Sequence, residues 1–88
     1  MKIMAKLYPL YRMLTIVRKL ERHGHVPVEE FVRMVNDEMA LVDERYADCS
    51  LRTLQRDFRT IEELFGITVS CDPQLGYYIA ERDENSDF

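Results

Sequence analysis

SLRTLQRDFRTIEELFG, residues 50–66, followed by ITVSCDPQLGYYIA, residues 67–80, decides how this chain folds. Ser50 suits a helix N-cap, because its hydroxyl oxygen can accept a hydrogen bond from an orphan N–H of the next turn. Leu51, Leu54, Phe58, Ile61 and Phe65 then recur at three- and four-residue steps, which places them on one face of a helix. Gly66 ends it, since glycine reaches the left-handed conformation at no steric cost. At about 100° per residue, the opposite face carries Arg52, Arg56, Arg59, Thr60 and Glu63, with Thr53 and Gln55 on its flanks. The β-branched run after Gly66 predicts a hairpin: strands over residues 67–71 and 77–80, joined through Asp72, Pro73 and Gly76.

Toward the amino end, Pro27 fits the first turn of another helix, where its missing N–H is no loss, and Glu29 and Glu30 follow where the helix dipole favours negative charge. Its apolar stripe is Val28, Phe31, Val32, Val35, Met39 and Val42. Residues 43–49 then read as a polar connection with Tyr46 turned inward. Before Pro27, His25 and Val26 fit a very short strand and Gly24 a helix stop. Leu10, Met13, Leu14, Val17 and Leu20 form the buried face of a first helix.

The chain has 88 residues, enough for one core, with a domain expected over residues 1–81 and an acidic tail or linker over 82–88. No segment approaches about 18 consecutive apolar residues, and residues 1–10 lack the pattern of a signal peptide. The expectation is a cytoplasmic protein with no membrane partner, in which Cys49 and Cys71 stay reduced. The formal charge of −4, from 12 basic and 16 acidic side chains, at first argues against a polyanion as partner. Its distribution argues otherwise. Residues 1–19 carry five basic residues (Lys2, Lys6, Arg12, Arg18 and Lys19) and no acid, and three more arginines crowd between Arg52 and Arg59.

Three helices followed by a hairpin make a mainly α, α+β chain with the layout of a three-helix winged helix-turn-helix, the C-terminal β-hairpin being the wing. Within it, Ser50, Arg52, Thr53, Leu54, Arg56 and Asp57 match Ser-x-Arg-Thr-apolar-x-Arg-Asp, and the hairpin closes on Gly76, Tyr77 and Tyr78. On these motifs, which span about a third of the chain, the sequence resembles the N-terminal domain of bacterial WYL-domain transcriptional regulators. The resemblance implies sequence-specific binding of double-stranded DNA in the nucleoid, with residues 50–65 as the recognition helix. It also implies a ligand-sensing WYL domain in a longer parent chain.

The residues themselves suit that role. Arg52 and Arg56 stand one turn apart, and each offers a planar fork of donors that fits a phosphate or the O6/N7 edge of guanine. Ser50, Thr53 and the open N–H groups of the first turn suit a phosphate oxygen. Gln55 can pair with the N6/N7 edge of adenine from the flank. Arg59 and Lys6 add phosphate contacts. Asp57, which phosphates would repel, is expected to pair with a basic residue of the first helix such as Arg12. The competing reading is a solvated arginine face, with Arg59 paired to Glu62 or Glu63, on a module that binds protein. Two features bear on the DNA reading: the connection over 43–49 is longer than a standard tight turn, and the tip Asp72-Pro73-Gln74 has no cation to grip phosphate.

Other chemistry is weakly represented. His23 and His25 flank Gly24 without the acids or thiols that would complete a metal site, so no cofactor or metal is expected. Cys49 has no patterned histidine partner, and there is no phosphate loop or nucleophile motif, so enzymatic activity is not expected. Met4, Leu7, Tyr8 and Tyr11 give the amino-terminal region apolar surface that is a candidate homodimer contact.

Overall fold

The computed structural model describes residues 7–82. Helix α3, Leu51–Phe65, has both ends set as the sequence predicts: Ser50 Oγ accepts from the Thr53 N–H at 3.2 Å, and Gly66 adopts a left-handed φ of 66°. Leu54 and Ile61 are fully buried, with Leu51, Phe58 and Phe65 packed against the same core. Helix α1 covers Tyr8–His23, strand β1 His25–Val26 and helix α2 Val28–Val42. Pro27 sits one residue earlier than predicted, in extended backbone just before α2. The buried face of α1 also shifts. Tyr8, Met13, Ile16, Val17 and Leu20 are buried, while Leu10, about 120° around the axis from Ile16, is 42% exposed.

The hairpin consists of β2, Ile67–Asp72, and β3, Gly76–Arg82, and β1 adds to its other side to give an antiparallel sheet of order β1-β3-β2. Thr68 pairs with Glu81 and Val69 with Ile79, leaving Ala80 as the extra residue of a bulge. β3 runs past the expected limit of the strand and past residue 81. Arg82 pairs with Ile67, and its guanidinium reaches Glu21 of α1 at 2.7 Å. The domain boundary predicted at 81/82 therefore falls inside a strand. Residues 83–88 of the predicted tail lie outside the described residues, as do Met4 and Lys6.

Phe31 of α2, Phe58 of α3 and Tyr77 of β3 bring their rings together at centroid distances of 4.9 to 5.8 Å, so an aromatic cluster joins the helices to the hairpin. The result is a mainly helical α+β winged helix-turn-helix. No helix among the described residues is long and apolar enough to cross a membrane.

The long connection is tied down at both ends. Its middle is a 3-10 turn, Glu44–Tyr46, and Tyr46 stacks on Tyr8 at 3.7 Å. Asn36 and Cys49 exchange two hydrogen bonds, Nδ2–H to the Cys49 carbonyl at 3.0 Å and the Cys49 N–H to Oδ1 at 2.9 Å. Asp43 accepts from the Arg45 side chain and backbone and from the Tyr8 hydroxyl. Chiefly because of the Arg45 bonds, its carboxyl titrates well below the ordinary carboxylate range. Removal from water, reinforced by Asp43, pushes the Tyr8 phenol up.

A depressed carboxyl stabilises the fold above its ordinary pKa and loses that contribution as pH falls. A raised phenol stabilises it below its ordinary pKa and loses that as pH rises. The lock on the connection is thus complete between about pH 4 and about pH 10. The melting-temperature gap between wild type and Asp43→Asn is expected to hold steady above about pH 5 and to narrow progressively as pH is lowered from about 4 to about 2. A gap that stays constant would mean that Asp43 does not hold the connection.

Candidate nucleic-acid interface

The amphipathic pattern of α3 buries Leu54 and Ile61, which turns Arg52, Arg56 and Arg59 outward into solvent. Among the described residues, the side chains of these three arginines have no ion pair and no hydrogen-bond partner. The predicted local pairing of Arg59 with Glu62 or Glu63 does not form. Five other cations are each matched to an acid: Arg12 to Asp57, Lys19 to Glu38, Arg33 to Asp37, Arg45 to Asp43 and Arg82 to Glu21. The acidic total of the chain is therefore partly spent away from α3. Of the two acids in the connection able to break a basic face, Asp43 is held by Arg45 and Tyr8, whereas Glu44 is exposed.

Arg52, Gln55, Arg56 and Arg59 line one shallow recess on the outer face of α3. Beside it, a groove between α1 and α3 is lined by Arg12, Thr53, Arg56, Asp57, Arg59 and Thr60. Its floor is the expected pair, Arg12 Nε and Nη2 donating to Asp57 Oδ2 and Oδ1 at 2.5 and 2.9 Å. The guanidinium neutralises the one carboxylate in the groove and leaves Arg56 and Arg59 as its uncompensated charges. Ser50 and Thr53 are both exposed to some degree, but their hydroxyls share a 3.2 Å hydrogen bond and the Thr53 N–H is used by the cap. Leu51 and Arg52 then supply the open N–H groups of the first turn.

Gln55 sits on the exposed flank of α3 and makes a contact that the helix pattern does not show. Its Nε2 donates to the hydroxyl of Tyr77 at 3.2 Å, so it belongs both to the arginine recess and to the base of the hairpin. Tyr77 was missed as a site residue because strand alternation marks it only as core, and no local signal tells which helix residue meets its hydroxyl.

The hairpin tip brings no cation to the face. Asp72 Oδ1 instead accepts from the N–H groups of Gln74 and Leu75 at 2.8 and 2.9 Å, which holds its carboxyl below the ordinary range and closes the turn. Of the other singled-out residues, His25 packs against Tyr78 at 4.8 Å, and Cys49 and Cys71 are free thiols. Of the predicted dimer surface, Tyr8 is in the core because it stacks on Tyr46, Tyr11 is half-buried, and Leu7 remains exposed together with Leu10. Lys6, predicted to contact phosphate, lies outside the described residues.

No protein-family model, no curated protein and no solved structure matches the chain.

Proposed function

We propose that the chain binds double-stranded DNA in a sequence-specific manner as the reading head of a bacterial transcriptional regulator, with α3 in the major groove. One observation carries this reading. Arg52, Arg56 and Arg59 share the solvent face of a helix in the position of a recognition helix, without a partner among the described residues, while five other cations are paired. Three unpaired guanidiniums on one face are repelled by each other and attracted by a polyanion, and their forks suit phosphate and guanine edges alike.

The roles divide along α3. Arg52 and Arg56 reach base edges. Arg59 and Thr53 hold phosphates together with the N–H groups of the first turn, and Ser50 sets the start of the helix rather than gripping DNA. With no cation at the hairpin tip, binding depends on the helix, with Lys6 as a further phosphate contact, and not on the wing. Leu7 and Leu10 are the surface available for pairing two copies over two half-sites. A ligand-sensing domain elsewhere in a longer chain, and a place in the bacterial nucleoid, complete the reading.

Fluorescence anisotropy with a mixed duplex pool at low salt tests it. Wild type is expected to bind with an affinity that falls steeply as salt rises. Arg52→Ala/Arg56→Ala is expected to bind about 30-fold more weakly or worse, a loss of about 2 kcal/mol, at unchanged melting temperature because both side chains are exposed. Equal binding by the two proteins would refute the assignment.

A further inference from the structure

Gln55 is exposed on α3, yet its amide is not free to turn. Its Nε2 is 3.2 Å from the hydroxyl of Tyr77, and that hydroxyl is itself fixed. The Tyr77 ring is 6% exposed, wedged between Phe31 and Phe58 at 5.2 and 4.9 Å, and its backbone is paired on both sides, with Val26 of β1 and Cys71 of β2. A carboxamide has two N–H donors and one carbonyl acceptor. An N–H spent on Tyr77 orients the plane of the group, and when it is the N–H anti to the carbonyl, the other N–H and Oε1 stay side by side. That remaining pair is the complement of the adenine major-groove edge, in which N7 accepts and the N6 amino group donates. Gln55 also lines the same recess as Arg52, Arg56 and Arg59, so the amide and the guanidiniums meet one stretch of groove.

We propose that Tyr77 is a positioning residue that holds Gln55 in the orientation for bidentate recognition of an adenine, making the pair a determinant of sequence preference. The proposal rests on the DNA-binding reading above. The hairpin then contributes to recognition from behind α3, through a buried hydroxyl, rather than by gripping phosphate with its uncharged tip. A glutamine without this brace would spread its amide over several orientations and lose preference more than affinity.

The experiment is selection from a duplex pool with a randomised central segment, using the whole chain as wild type, Gln55→Ala and Tyr77→Phe, with melting temperatures measured in parallel. Tyr77→Phe keeps the ring that packs in the core, and Gln55→Ala changes an exposed position, so both are expected to fold. Sites selected by wild type are expected to show an adenine at one position, favoured about tenfold or more over other bases. Gln55→Ala is expected to abolish that preference and Tyr77→Phe to reduce it by about threefold or more. Preferences elsewhere in the site and the salt dependence of affinity should be retained in both variants.

If Tyr77→Phe loses stability but keeps the adenine preference, the hydrogen bond is only a staple between helix and hairpin and the proposal is wrong. It is equally wrong if the preference survives in Gln55→Ala, or if wild type selects sites with no such adenine. All three outcomes leave DNA binding intact. Failure of wild type to bind or enrich any duplex would instead overturn the functional reading, and this proposal with it.

Discussion

Gly76→Ala is expected to lose roughly a third or more of the stability of the fold. Gly76 begins β3 at a φ of +96°, a conformation that side chains disfavour. It is also buried against the turn from β1 into α2: a Cβ there would overlap the carbonyl oxygen of Val26 and stand 2.6 Å from Pro27 Cα. Backbone atoms cannot step aside as the end of a side chain can, so the sheet must open between β1 and β3 or α2 must move. Conformational strain and overlap together are expected to cost about 3 kcal/mol or more, against a total of roughly 5–10 kcal/mol for a domain of this size. Gly24 is the internal control. Its φ of +76° imposes a similar strain, but a Cβ there meets nothing within 4 Å, so Gly24→Ala is expected to cost only about 1–2 kcal/mol. Urea denaturation of the two variants measures the difference. Equal midpoints would mean that the close approach at Gly76 does not exist.

Gly76 also marks where the sequence stops being informative. A Pro and a Gly between two β-branched runs announce a hairpin, but that the glycine touches Val26, fifty positions earlier, is a property of the packed sheet. The helices were readable because their signals are local. Ser50 and Gly66 bound α3 through bonds to residues within four positions, and the stripe from Leu54 to Ile61 needs only helical geometry. The exposed arginine face follows from the same geometry.

The errors fall where one residue's place depends on a distant partner. Leu10 fits the periodic face of α1, yet Tyr8 takes the buried place at that end because Tyr46 and Asp43 receive its ring and its hydroxyl. Gln55 keeps its exposed flank, but its partner Tyr77 comes from β3, 22 positions on, and no local pattern names it. Composition turns polar after Ala80 and predicts the end of the strand there, but β2 supplies partners as far as Arg82. The polarity of residues 43–49 marks a connection, but that Asn36 and the Asp43–Tyr8 bond fix it is a matter of distant partners.

Arg12→Ala is expected to be the most damaging substitution outside the hydrophobic core and the glycines. Asp57 lies on the inner side of α3 with its side chain 10% exposed, and the guanidinium of Arg12, 17% exposed, is its only side-chain partner among the described residues. Removing the arginine strands a carboxylate with little water to solvate it, at an expected cost of about 3 kcal/mol. Because the loss comes from an unpaired charge and not from the pair's own net attraction, replacing both residues should behave differently. Arg12→Leu/Asp57→Leu is expected to recover to within about 1 kcal/mol of wild type, since apolar side chains can fill the space without a desolvation penalty.

Stability and binding should then separate. The bidentate fork ties α1 to α3, and Arg12 Nη1 also lies 3.9 Å from the sulfur of Cys49, just before the start of α3. Two leucines hold the same helices together without fixing their angle or leaving a cation in the groove beside Arg56. The double variant is therefore expected to melt near wild type yet bind duplex DNA about tenfold more weakly, read by thermal unfolding and anisotropy on the same preparation. Recovery of both properties together would show that the ion pair serves only to neutralise Asp57 and does not orient the helix that carries Arg52 and Arg56.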